Sequence, residues 1–356
     1  MDVIKYIALD VHIACIVALV MNAAGKVLLS NRVIPTSVVA IRKFFGELRG
    51  KYKLIVTFEE GSLSQWLYEI IKPLVTEVVV CNPRKNKLVS DGSKSDEIDT
   101  RKLADLLRTG MLKPVYHGEA GTGVLKELVR CYVCLVSDCN RVMNRLKSVY
   151  RSRGIATSGR SVYYERNRES WLAKIDRPEK RQRAEILYRQ FDCLRELRRE
   201  TRRKMLVEAR KYPAWKILQS IPALGPIRTA IAIAIIATPH RFRTKRQLWS
   251  YCGLSVITKS SSDFNFVEGI LRKSRGIKIT RGLTLEFNHL LKFVVKSAAT
   301  DAIRKEPFKQ FYQTRVAAGM RPEMARLAVA RKIAALILTL WKRGVLFDQK
   351  SLNLVA

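Results

Sequence analysis

Acidic residues are scarce in this chain of 356 residues: 31 Asp and Glu stand against 66 Lys and Arg, a net charge of +35. A self-repulsion of that size calls for an anionic partner, and nucleic acid is the first candidate. Long hydrophobic runs are also missing. The longest, Thr229 to Thr238 and Ala334 to Trp341, fall short of the roughly 20 residues that cross a bilayer, so no membrane partner is expected. The N-terminus lacks a signal-peptide layout, since Asp2 and Lys5 precede a strand-like Tyr6-Ile7-Ala8-Leu9. The cysteines are few, seven in all, odd in number and scattered, which suits reduced thiols in a cytoplasm. Cys131-x-x-Cys134 followed by Cys139 has no second Cys or His pair at zinc-finger spacing and sits in a helical pattern, so packing is its expected role. No internal repeat or low-complexity tract stands out.

What is present is a folding chain. Hydrophobic residues make up 47% of it, which excludes a disordered basic tail. At roughly 150 residues per domain the length suggests two or three domains. Residues 1 to about 120 have an α/β pattern. Strands are expected over 6–11, 14–20 and 27–29, the last two joined by a turn at Ala23-Ala24-Gly25-Lys26. A helix over 38–49, a buried strand over 54–58, a helix over 66–75 and a strand over 78–80 follow, closed by Asn82-Pro83. The order β-β-β-α-β-α-β, then helix, matches a ribonuclease-H-like core.

From Val124 the pattern changes. Leu125, Leu128, Tyr132, Leu135, Cys139, Val142, Leu146 and Val149 recur in steps of three and four, a heptad seam that predicts a long helix with a coiled-coil partner. A break at Gly154 to Gly159 precedes a second long helix over about 179–211, crowded with Arg195, Arg198, Arg199, Arg202, Arg203 and Lys204. A helical hairpin with one basic, nucleic-acid-facing side is expected. In the remaining third, Ser220-Ile221-Pro222-Ala223-Leu224-Gly225-Pro226 links two apolar helical segments in a turn like that of a helix-hairpin-helix. A polar segment from Lys259 to Arg281 has no apolar periodicity and carries Ser260, Ser261, Ser262, Arg272, Lys273, Arg275, Lys278 and Arg281. Helices are expected over 247–254, 283–298 and 322–341.

Four acidic positions stand where a metal-dependent nuclease needs them. Asp10 ends the first strand, Glu59 and Glu60 end a buried one, and Asp96 and Asp99 lie three apart, on one side of a helix. Such a set can hold two Mg²⁺ ions about 4 Å apart and polarise a phosphodiester. Each acid also has a structural alternative: Asp10 as a turn residue, Asp96 as a helix cap with Asp99 in the first turn.

Asp10 after an apolar strand, Phe58-Glu59 after a second, Asn82-Pro83, and Lys94-Ser95-Asp96-x-x-Asp99-x-x-x-Leu103-Ala104 resemble the DEDD-type transposases of bacterial insertion sequences, the insertion-sequence-one-ten family, similar also to Piv-type DNA invertases. The likeness continues through the Ser220–Pro226 turn, Gln247-Leu248-Trp249-Ser250-Tyr251-Cys252-Gly253-Leu254, Arg331-Lys332 and Arg343-Gly344-Val345-Leu346-Phe347-Asp348. The resemblance implies a RuvC-like DEDD domain at 1–122, a coiled-coil hairpin at 123–213 and a mainly α transposase domain at 214–356 with a nucleophilic serine. It maps the family's catalytic, metal-binding acids onto Asp10, Glu59, Asp96 and Asp99. Glu59 is preferred because the family's acid directly follows the strand's last apolar residue; Glu59-Glu60-Gly61 in place of a common Glu-x-x-Gly leaves Glu60 open. Ser261 is the best match by spacing for the nucleophile, with Ser260 and Ser262 as rivals.

A serine hydroxyl needs activation, and His240 and His289 are remote in sequence from Ser261. Activation is therefore expected from the metal site, with a covalent serine–DNA intermediate that lets strands be rejoined without ATP. The implied partners are double-stranded donor and target DNA, an element-encoded guide RNA, and further copies of the chain, a dimer and in synapsis a dimer of dimers. The implied setting is the bacterial cytoplasm, at the nucleoid. The alternative function is a Holliday-junction-type nuclease that hydrolyses DNA with the carboxylates and water alone.

Overall fold

The structure, a computed structural model, describes residues 3–83, 96–117, 121–261, 264–267, 270–273 and 278–355; Asp96 and most of 259–281 are described by their backbone alone. Two compact units divide the chain, 1–119 and 120–356.

The first unit is built on a five-stranded sheet. β1 (Val3–Val11), β2 (Cys15–Asn22) and β3 (Val27–Pro35) form an antiparallel meander. Its second turn is closed by Gly25 at φ 84°, a left-handed conformation that glycine adopts without penalty. α1 (Val38–Leu48), capped by the Ser37 hydroxyl accepting the Ala40 N–H at 3.3 Å, leads to β4 (Tyr52–Glu59). α2 (Ser64–Ile71) and a 3-10 turn lead to β5 (Glu77–Cys81). β4 lies parallel to β1 and β5 parallel to β4, giving the order β3-β2-β1-β4-β5. α3 (Asp96–Arg108) follows.

Apolar residues alternate along these strands and fill two cores. Ile7, Leu9, Leu54, Val56 and Phe58 meet Phe44 and Phe45 of α1 and Leu67 and Ile71 of α2. On the opposite face Tyr6, Ala8, Leu19, Met21 and Ile55 meet Leu103, Ala104 and Leu107 of α3. The sheet is thus covered by helix on both faces, with α3 over β1 and β2.

In the second unit, α4 (Gly123–Arg151) and α6 (Gln182–Arg210) pack along each other, with the short α5 (Arg168–Ala173) between them in sequence. The far half of this hairpin has its own core, in which Cys139, Val142, Leu146 and Val149 of the heptad seam meet Leu187 and Phe191 of α6 and Trp171 of α5. The buried hydroxyls of Tyr150 and Tyr188 stand 3.1 Å apart, and Tyr188 donates to the Val162 carbonyl at 3.0 Å. The near half, through Leu125, Val129, Met205 and Ala209, joins a larger core. That core is made by α7 (Ala214–Gln219), α8 (Pro226–Ile236), α9 (Lys245–Tyr251), α10 (His289–Ala302), α11 (Phe308–Ala317) and α12 (Pro322–Arg343). α8, and α12 over Ile333–Leu340, are apolar nearly all round because they are buried nearly all round. No described helix is long and apolar enough to cross a membrane.

Two sequence expectations change here. The polar segment without periodicity contains four short strands, β6 (Val256–Ser261), β7 (Phe264–Val267), β8 (Ile270–Lys273) and β9 (Lys278–Leu283), paired β6 with β9 and β7 with β8, all antiparallel. Val256, Ile257 and Ile270 are exposed, so at these positions the ribbons cover no core and need no apolar alternation. The cysteine packing reading holds for buried Cys139, whereas Cys131 and Cys134 are exposed.

Candidate active site

Strand parity aims the acids. In β1, Ile7 and Leu9 enter the α1/α2 core, and Tyr6 and Ala8 enter the α3 core. Asp10 continues the second series. In β4, Leu54, Val56 and Phe58 face the first core and Ile55 the second, and Glu59 continues that one. Successive side chains of a strand point to opposite faces, so both carboxylates leave the sheet on the side that α3 covers. The Leu9–Phe58 register of parallel β1 and β4 brings Asp10 and Glu59 level, each one residue further on. α3 begins at Asp96, and Asp99 in its first turn stands one turn before the buried Leu103.

Asp10 and Asp99 act on Glu59. Burial first, then repulsion from Asp10 and Asp99, raises the pKa of Glu59 above the ordinary carboxylate range. Asp99 Oδ1 is buried without a hydrogen-bond partner. Asp10 Oδ2 stands 3.1 Å from His12 Nε2, a contact that the sequence reading missed. The signal was Asp10-Val11-His12, two positions apart at a strand end, where alternate residues share a side. Glu60 is exposed beyond the strand, and its N–H donates to the Cys81 carbonyl at 2.9 Å. Asp96 is placed by its backbone at the start of α3.

The donor set is entirely carboxylate, the chemistry of a hard divalent cation. A cation would offset the repulsion around Glu59 and occupy the unpartnered oxygen of Asp99. Among the described residues, no group of three or more His, Cys, Asp or Glu stands close enough to hold a metal ion. The described carboxylates of Asp10, Glu59 and Asp99 share a field without closing into a coordination shell.

The serine segment lies in the second unit. Ser261 is the last residue of β6, opposite Lys278 of β9, and Ser260 is opposite Ile279. Arg281 lies opposite Thr258, while Arg272 and Lys273 of β8 lie opposite Asn265 and Phe264 of β7. Ser262 and Arg275 lie outside the described residues. The turn between α7 and α8 is fixed by side chains. Gln219 Nε2 and Thr229 Oγ1 both donate to the Leu224 carbonyl at 3.0 Å, and Arg228 Nη1 donates to that of Ala223 at 2.9 Å.

Residues 7–152 match the family model of the DEDD-type IS110 transposase domain, and residues 215–313 match that of the transposase IS116/IS110/IS902 family. Together the two matches span more than half of the chain. The chain belongs to the IS110 family of insertion-sequence transposases. No curated protein matches it.

The transposase is accordingly an enzyme of DNA transposition and recombination. Asp10, Glu59, Asp96 and Asp99 fall within the first match, and the α7–α8 turn with residues 260–262 within the second. The basic stretch of α6 lies outside both. There Arg199 pairs with Glu196 at 3.3 Å and Lys204 with Glu200 at 2.7 Å. Arg198 is half-buried, close enough to Cys139 for its charge to oppose the rise that burial imposes on that thiol. Arg202 and Arg203 are exposed and form no close ion pair among the described residues, although the charge of Arg203 reaches Glu200, so this helix offers two accessible guanidinium groups to a polyanion.

Proposed function

We propose that the transposase cuts and rejoins DNA strands through a metal-dependent carboxylate centre, Asp10, Glu59, Asp96 and Asp99, and a serine nucleophile, Ser261. The observation that carries this reading is the placement of Asp10, Glu59 and Asp99 on the α3-covered face, with Glu59 raised by burial and then by its two neighbours and Asp99 Oδ1 unpartnered. The sheet order β3-β2-β1-β4-β5, with its antiparallel meander and two parallel strands, supports a ribonuclease-H-like, RuvC-like fold for this domain. The proposed domains are 1–122, a helical hairpin at 123–213 and the C-terminal transposase domain at 214–356.

Asp10, Glu59, Asp96 and Asp99 would hold a divalent cation, Mg²⁺, which when bound would supply the positive charge that polarises the scissile phosphodiester. His12 holds the Asp10 carboxylate in a fixed orientation through the 3.1 Å contact. The Ser261 hydroxyl attacks phosphorus, its Oγ–P bond forming as one P–O bond of the strand breaks, and its proton passes to the departing oxygen. The phosphoserine retains the bond energy, so a second hydroxyl reverses the step and joins strands with no further energy source. Ser260 and Ser262 are the neighbouring alternatives to Ser261.

The net charge of +35, the exposed Arg202 and Arg203, and the placement of Arg272, Lys273, Lys278 and Arg281 on paired ribbons support contact with the phosphates of duplex DNA and of an element-encoded guide RNA. The two DNA sites are brought together by a dimer of dimers.

The test is cleavage of an end-labelled donor duplex, in the presence of flanking RNA and Mg²⁺, by Asp10→Asn, Glu59→Gln, Asp99→Asn and Glu60→Gln variants. The first three lose at least 10²-fold in rate with unchanged melting profiles, while Glu60→Gln stays within about threefold of wild type. Undiminished cleavage by Asp10→Asn would overturn the reading.

A further inference from the structure

In the C-terminal region, α11, α12 and the terminal 3-10 segment Gln349–Val355 line a cavity of about 510 Å³. Its floor is Phe311. The Arg315 guanidinium carbon lies 5.2 Å and Lys332 Nζ 5.1 Å from the centroid of that ring. Neither cation has a carboxylate partner among the described residues, and both line the cavity with the polar side chains of Gln310, Thr314 and Gln349. A third cation, Lys245, held 5.8 Å from the Trp249 ring, is near enough to act on Lys332. Burial, then Arg315, then Lys245 lower the pKa of Lys332 from its usual value. Like charges gathered at a partly buried ring raise one another's energy unless an anion joins them. The ring contacts hold both cations in place, so an incoming anion meets donors that are already oriented.

We propose that this cavity is a phosphate-binding site for the sugar–phosphate backbone of a nucleic-acid strand, seated between Arg315 and Lys332. The inference rests on the proposed nucleic-acid contacts of the transposase and adds a site separate from α6 and the ribbons. A cavity of this size admits one nucleotide's sugar and phosphate. Phosphate contacts of this kind fix the register of a strand without reading its bases.

The experiment uses the full chain, with binding to a fluorescent DNA duplex and to a structured RNA hairpin followed over a series of salt concentrations. An Arg315→Gln/Lys332→Gln double variant is compared with Lys43→Gln/Lys51→Gln, which removes the same charge from exposed positions on α1 and before β4. The cavity seats one phosphate between the two cations, and removing one phosphate contact lowers the slope of log K against log salt by about 0.9 on duplex DNA. The pocket variant is expected to show that fall on the nucleic acid that occupies the site, with the control pair unchanged. Arg315→Gln alone, at an exposed position, is expected to show about half of it. Equal slopes for the pocket and control variants would overturn the proposal. Inorganic phosphate that raises the melting temperature of wild type but not of the pocket variant, without any slope difference, would assign the cavity to a free ion and overturn it as well. A wild-type chain that binds neither nucleic acid would instead overturn the reading on which the inference rests.

Discussion

Glu59 carries the clearest electrostatic consequence at the scale of one residue. Its pKa is raised by burial, by Asp10 and by Asp99, so the folded chain binds a proton there more tightly than the unfolded chain does. The sign follows from linkage. The contribution of Glu59 to stability is fully present below its unfolded value near 4.5 and is lost as pH rises through its higher folded value. Metal-free protein is therefore expected to fall in melting temperature over that window, and Glu59→Gln to flatten the fall. A divalent cation is expected to restore the wild-type melting temperature at neutral pH and to do so less in Glu59→Gln. Calorimetry at several pH values, with and without Mg²⁺, checks all three. Asp10 and Glu59 stand out in the sequence because a carboxylate directly after an apolar strand contradicts the local pattern, whereas Asp96 and Asp99 stand out only by their helical spacing and the family resemblance. His12 was not legible in the same way: its partner is two residues away, and only the strand-end geometry brings the ring to Asp10.

Among the elements, the strands of the sheet and the long helices follow from period-2 and heptad spacing, because each has a core to cover. The paired ribbons over 256–283 do not, since exposed Val256, Ile257 and Ile270 leave no buried face to impose a period. α11 was also missed, because its apolar residues are spread around the helix instead of along one stripe. The heptad seam of α4 is filled from within the chain at its far end, where Leu146 is buried against α5 and α6. Leu146→Ala is expected to cost about 2–5 kcal/mol, the usual range for emptying a packed leucine site. Urea unfolding at two protein concentrations checks this. The midpoint shift should be the same at both, since Leu146 packs against helices of its own chain; a shift that grows on dilution would place the seam at an interface between chains.

For the whole molecule, the excess of 66 basic over 31 acidic residues is only partly neutralised internally, as Arg202 and Arg203 illustrate. Replacing both with Gln is expected to weaken duplex binding by similar factors on unrelated DNA sequences and to lower the salt slope by about 2, as phosphate contacts require. A weakening confined to one sequence would contradict a backbone role. In the proposed reaction, carboxylates and a serine together break and remake a phosphodiester. The most direct measurement is mass spectrometry of peptides from the transposase after reaction with a nicked donor duplex that traps a covalent intermediate, run in parallel with Asp10→Asn and Ser261→Ala. A nucleotide adduct is expected on the peptide spanning Ser260 to Ser262, assigned to Ser261 and absent from both variants. Nicked strands with free 3′-hydroxyl ends, no adduct, and full activity in Ser261→Ala would contradict it and make the enzyme a hydrolytic nuclease.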